Sequence, residues 1–260
     1  FGGNLVTNGD FSQEGSELVT NGDFATNSDW TLGTGVTISG GKANWTNTIN
    51  NVGVQQNGIM TSGKNYKVVF TVSNYSSGSV RVRFPSITER ITSNGTYTYY
   101  INATDTKLYI QGETNGDSNV NFSIDNVSVK EVGQGWVLDA GWSISEGLAS
   151  RTNTGAYGAM YQNCLESGKK YKATIKITSI TSQAFFGVRL GTNYILQGIT
   201  QPGTYTAIGV STSATLSIMG NPTFAGSIDS IKIIEITDDT NLPRIDYSPY
   251  SGAGTCGHWL

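Results

Sequence analysis

Four blocks of this chain occur twice, in the same order. WTLGTGVTISGGKA, from Trp30 to Ala43, aligns without a gap on WVLDAGWSISEGLA, from Trp136 to Ala149. SGKNYK at Ser62 returns as SGKKYK at Ser167, and GTYT at Gly95 returns at Gly203. FSIDNVSVKEV, ending at Val132, returns as GSIDSIKIIEI, ending at Ile236. Such a repeat means two copies of one domain. With 260 residues to share, each copy is long enough to bury a core of its own.

Within a copy the hydrophobic period is two. Val80, Val82 and Phe84 interleave with Arg81 and Arg83, and Leu108 and Ile110 with Lys107, Tyr109 and Gln111. This is the pattern of half-buried strands. Turn clusters such as SNYSSGS, from Ser73, and ETNGDSN, from Glu113, punctuate the runs, and no 3.6-residue stripe is long enough for a helix. The expected fold is therefore all-β: two tandem β-sandwich (jelly-roll) domains with an extended N-terminal leader and an irregular C-terminal tail. The boundaries are 1–16 for the leader, 17–132 and 133–237 for the domains, and 238–260 for a tail or a linker to a further domain.

Only 13% of residues are charged, about half the usual share, which leaves a neutral polar surface suited to an extracellular setting or to oligomers. A net charge of -3 with no run of Lys or Arg offers nothing to a polyanion, so nucleic acid is not expected as a partner. No apolar stretch reaches membrane-spanning length, so no membrane is expected either. Two cysteines, Cys164 and Cys256, do not make a disulfide framework, and their pairing cannot be read from sequence.

The order NGDF, Trp, Gly-rich hairpin, SGKxYK, GTYT and a closing SIDNVSV strand resembles carbohydrate-binding modules of the family 4, 9 and 22 type over Leu18–Val132, and less fully over Gly135–Ile236. The tail, NLPRIDYSPYSGAGTCGHWL, resembles junctions in tailed-phage structural and tail-fibre proteins, which implies a virion or extracellular location. The module resemblance also implies one structural calcium ion, with Asp23 of NGDF and Asp125 of SIDNV as ligands and Asp229 in place of Asp125 in the second copy; an Asp in such phrases also simply shapes turns. No cofactor is otherwise required.

The only histidine, His258, is near the end of the chain, which excludes a Ser-His or Cys-His site within either copy. Glu89, Asp105, Glu113 and Asp117 are the acids considered for glycoside hydrolysis and read as solvated loop charges, so no enzyme is expected. Binding is the open question. By alternation Arg81, Arg83, Tyr109 and Gln111 share a face opposite the aliphatic core, Tyr100 is a candidate to join them, and together they could hold a host-surface glycan. The second copy keeps Arg189 for Arg83 but has Gly187 for Arg81 and Ser217 for Tyr109. The same residue types also suit packing between subunits, so a self-assembling structural protein and a glycan-binding adhesin both stand. Trp30 and Trp136 read as core, and Trp45 is unassigned.

One phrase is left over. LVTNGDF occurs at Leu18–Phe24, where it can open the first copy, and also at Leu5–Phe11, while nothing like it precedes Trp136. Leu5, Val6, Thr7, Asn8, Gly9, Asp10 and Phe11 are therefore expected either to add to a module edge, foremost the second copy of an adjacent subunit, making a homo-oligomer, or to lie disordered as a mere duplication.

Overall fold

The computed structural model describes residues 2–83, 89–139, 141–181 and 186–237; Phe84, Cys256, His258 and the LPRIDY tail lie outside them. The described chain is all-β, two tandem β-sandwiches. The first module comprises β1 (Glu14–Glu17), β2 (Thr31–Leu32), β3 (Val36–Ser39), β4 (Lys42–Thr48), β5 (Val52–Gln56), β6 (Asn65–Ser77), β7 (Ser79–Arg83), β8 (Gly95–Asn102), β9 (Leu108–Glu113) and β10 (Val120–Val132). The second comprises β11 (Val137–Leu138), β12 (Trp142–Ser145), β13 (Leu148–Arg151), β14 (Gly158–Asn163), β15 (Lys170–Ile180), β16 (Phe186–Leu190), β17 (Asn193–Gln197), β18 (Gly203–Val210), β19 (Thr215–Gly220) and β20 (Gly226–Glu235).

The sheets correspond apart from β1, found only in the first module, and β17, found only in the second. In the first module β3-β4-β10-β6-β8, with β1 added to β10, faces β2-β5-β9-β7; in the second β12-β13-β20-β15-β18 faces β11-β14-β19-β16-β17. The repeated blocks fall on equivalent elements: the Trp blocks on β2 to β4 and β11 to β13, GTYT on the start of β8 and β18, and the closing phrase on β10 and β20. The inward positions of facing sheets fill two separate cores. Val54, Val68, Phe70, Val82, Ile110 and Ile124 belong to one, and Met160, Ala173, Ile175, Val188, Ile218 and Ile228 to the other. Trp30 and Trp136 are buried in these cores as expected, and Trp45 is too, stacked on Phe122 with ring centroids 4.6 Å apart. At the position of Trp45 the second module has Arg151, also buried, whose two terminal nitrogens donate to the carbonyls of Asn221, Phe224 and Ala156 at 2.6–2.9 Å. The Trp moves to the paired strand: Val36 faces Trp45, whereas Trp142 faces Arg151.

The two leaders are the part of the fold that the sequence order conceals. Leu18–Phe24 completes the first module: Leu18 N donates to Val129 O at 3.0 Å, Val127 N donates to Gly22 O at 2.8 Å, Trp30 Nε1 donates to Asn21 O at 2.9 Å, and Phe24 packs on Trp30. Leu5–Phe11 makes the same bonds to the second module of its own chain. Leu5 N donates to Ile233 O at 2.9 Å, Ile231 N donates to Gly9 O at 2.7 Å, Trp136 Nε1 donates to Asn8 O at 3.1 Å, and Phe11 packs on Trp136. A buried glutamine holds each leader by both backbone groups of its Thr, Gln56 for Thr20 and Gln162 for Thr7.

Local geometry repeats as well. Asn8 and Asn21 have φ of 50° and 52°, and Phe11 and Phe24 have φ of 57° and 49°, a region bulky residues rarely visit. Gly9 and Gly22 touch the carbonyls of Ile231 and Val127 so closely that no side chain fits there.

The expectation that Leu5–Phe11 adds to an adjacent subunit is thus corrected: the segment supplies the missing opening of its own chain's second module. The reason is the path of the chain between the leaders. β1 pairs with the end of β10, Glu14 opposite Val132, so the residues just before Glu14 lie beside the point where the chain enters the second module, and the leader reaches Trp136 without a second chain. The first module is thereby threaded between the opening segment of the second and the rest of it.

Candidate functional site

On β5, β9 and β7 the alternation that sends Val54, Ile110 and Val82 inward sends Gly53, Gln55, Tyr109, Gln111, Arg81 and Arg83 outward. The register sets them in rows. Gln55, Tyr109 and Arg83 stand side by side in one row, and Gly53, Gln111 and Arg81 in the next. A Cβ on Gly53 would lie 2.9 Å from the Tyr109 ring, so the glycine lets that ring lie down across the neighbouring strand. Tyr109 Oη donates to Asn51 O at 3.1 Å and fixes the tilt. The ring borders a shallow depression of about 180 Å³ lined by Thr31, Leu32, Gly33, Gly53, Gln55 and Tyr109.

Beside this row lies a polar network. Arg81 Nη1 donates to both Glu113 oxygens at 2.8 and 2.9 Å, and Arg90 Nε donates to Glu113 Oε2 at 3.1 Å. Gln111 Nε2 donates to Glu113 Oε1 and to Asn51 Oδ1, each at 2.9 Å, while its Oε1 accepts from Arg83 Nη1 at 3.3 Å. Burial opposes the charge on Glu113, but the hydrogen bonds and charges of Arg81 and Arg90 outweigh it and hold the carboxyl below its usual range. Burial pushes the Tyr109 phenol up, against the opposing charge of Arg83.

The face therefore brings together four of the residues named from the sequence, in two roles. Tyr109 and the exposed Arg83 are presented outward; Arg81 and the buried Gln111 are committed to the network that supports them. Tyr100 does not join them. It sits on β8 in the opposite sheet, paired with Lys67, and packs against the core of the second module, because the face of β8 turned away from its own core is the one the second module covers. Gln55, Asn51 and Gly53 were not singled out, and Glu113 was considered only as a catalytic acid, although a glycine inside the alternating run VGVQQ is the ordinary signal of a close approach, and Gln55 follows it by two.

In the second module Arg189 takes the place of Arg83, with Ser217 opposite it, and Met219 opposite Gly187. The aromatic ring is supplied from the other side. Tyr194 of β17 pairs with Arg189, lies against Gly187, whose Cβ would be 3.0 Å from Tyr194 Cε1, and has the Arg189 guanidinium over it, 5.0 Å from the ring centroid.

Three of the four acids considered for catalysis have structural uses. Glu113 is tied to two arginines, Asp105 pairs with Lys107 at 3.5 Å, and Asp117 accepts from Gly78 N at 2.7 Å; Glu89 is exposed. Cys164 is half-buried, and burial pushes its thiol up to about 11. Of the implied calcium ligands, Asp23 accepts from Ala25 N, Asp125 from Asn126 N, and Asp229 pairs with Lys176 at 3.3 Å. Asp10 now stands as the leader acid that the second copy lacked. Among the described residues no three His, Cys, Asp or Glu side chains come together as a metal site, and no helix is long and apolar enough to cross a membrane.

No protein-family model matches the chain, and neither does any curated protein. Solved structures similar to it include the N-terminal CBM22-1-CBM22-2 tandem domain of a Paenibacillus barcinonensis protein, 10% identical, covering 87% of this chain and 99% of that one with a TM-score of 0.37. They also include an allantoicase, 11% identical over 88% and 93% with a TM-score of 0.31, and the ANX1 ectodomain of Arabidopsis thaliana, 8% identical over 81% and 88% with a TM-score of 0.28. These are distant likenesses.

Proposed function

We propose that the protein is a non-enzymatic carbohydrate-binding protein whose ligand lies on the outer face of β5, β9 and β7 in the first module. The observation that carries this reading is the Tyr109 ring laid over Gly53 beside a depression, with Arg83 and Gln55 in its row. A pyranose has an apolar face that stacks on such a ring and equatorial hydroxyls that bond planar polar groups at its edge. Arg83 donates to the hydroxyls and Gln55 both donates and accepts. The Arg81, Gln111 and Glu113 network keeps the row in place before the ligand arrives, which spares it ordering cost.

The second module acts as a scaffold in this reading, since the guanidinium of Arg189 already occupies the Tyr194 ring. A virion or other extracellular setting, with attachment to a host-surface glycan, fits the resemblance of the tail. A glycan array tests the proposal. The protein should bind a defined set of glycans, and Tyr109→Ala should weaken binding about two- to tenfold, as the loss of one stacking contact of about 0.5–1.5 kcal/mol requires. Arg83→Ala should weaken it too, and Arg189→Ala should leave it unchanged. A blank array, or binding indifferent to Tyr109 and Arg83, contradicts the proposal.

A further inference from the structure

We propose that the outer edge of the second module's β12-β13-β20-β15-β18 sheet receives the first module of another copy of this chain, repeating between chains the contact that the two modules make within one. Inside the chain, β12 of the second module lies against β6 and β8 of the first. Tyr100 on β8 packs against the second core, and Ile144 on β12 is only 2% exposed, with its Cδ1 close against Gly133. The first module thus offers a socket on β8, and the second a plug on the β12–β13 hairpin.

Each module carries both parts, and one of each is left over. Tyr100 pairs with Lys67, which pairs with Lys130; Ile208 pairs with Lys172, which pairs with Ile234. Ile208 therefore holds in the second module the position Tyr100 holds in the first, and Val210 holds that of Asn102. Nothing among the described residues covers this second socket: Ile208 is 54% and Val210 45% exposed. Its row is more apolar than the covered one, with Ile208 and Ile234 where the first module has Tyr100 and Lys130. Exposed branched aliphatics grouped on a sheet edge mark an interaction surface.

At the far end of the molecule, the hairpin of β3 and β4 is the counterpart of β12 and β13, Ile38 opposite Ala43 as Ile144 is opposite Ala149. There Ile38 is only half-buried and Ser39 is exposed, whereas Ser145 is half-buried. One chain ends in an open socket and begins with an open plug of an interface it already makes internally. A second copy is the occupant that fits, and the contact is heterologous, so it closes into a ring or runs on as a filament.

Sedimentation of the full chain across a concentration series tests this. Association should grow with concentration, and Ile208→Lys or Ser39→Lys should each leave a monomer with an unchanged melting curve, since both side chains are exposed. An equimolar mixture of the two variants, each keeping one sound face, should form dimers and nothing larger. A wild-type chain that stays monomeric at all concentrations, as it would if its own C-terminal segment covered Ile208, overturns the proposal, and so does association that survives both substitutions or a mixture that yields no dimer.

Discussion

The two modules share a frame and differ on one face. Both hold a leader by a glutamine, a tryptophan indole and two backbone bonds, and both set an arginine at the same point of equivalent strands, Arg83 on β7 and Arg189 on β16. In the first module a tyrosine from the central strand lies across a glycine, supported by an Arg81–Glu113 ion pair. In the second the central strand offers Ser217 and Met219, and the tyrosine comes from β17 with the arginine over it. The frame is constrained because every part of it is buried or bonded. The outer face carries no core residue, so its chemistry can change from one copy to the next while the frame is kept.

The largest effects should come from breaking the frame in one module only. Phe11→Ala removes a 2% exposed ring from the second core, a loss of about 3–5 kcal/mol against a total stability of roughly 5–15 kcal/mol for a domain. In calorimetry the second module's transition should fall sharply while the first module's stays. Phe24→Ala should do the reverse. If Phe11→Ala instead lowers the transition of the first module, to which it is nearer in sequence, the assignment of the leaders is wrong.

A smaller effect should mark the face. Glu113→Gln breaks the ion pairs with Arg81 and Arg90 and should cost the first module about 1–3 kcal/mol at neutral pH. A carboxyl held low in the folded state contributes stability above its unfolded pKa and loses it as pH falls through the folded value. The difference between wild type and variant, measured by denaturant titration, should be constant near neutrality and shrink only below about pH 4. The second module, which has Met219 and Gly187 here, should show no difference.

Much of this was legible in the sequence. The repeat blocks and the period of two are direct consequences of burial, and they gave two all-β sandwiches with the right strands in register. The same alternation puts Arg83 and Tyr109 on one outward face, where the register sets them side by side. Tyr100 was misplaced because alternation tells which residues share a face of one strand, not which sheet the strand joins. Gln55 went unnoticed because a glycine and the inward Gln56 blur the alternation of its run, and Glu113 read as a solvated loop charge because in sequence it opens a turn-like cluster, while in space it ends β9 between two arginines. The leader was the deepest failure. Its partner strand, β20, lies more than two hundred positions away, and only the pairing of Glu14 with Val132 shows how the chain brings them together.

The claim that organises the account is that Leu5–Phe11 belongs to the second module and Leu18–Phe24 to the first. Amide hydrogen exchange on the chain lacking residues 1–11 tests it most directly. Interior amides of the second module that do not touch the leader, such as Ile175 on β15, should lose most of their protection, while Phe70 on β6 keeps it. Full protection at Ile175, or loss at Phe70 instead, would contradict it.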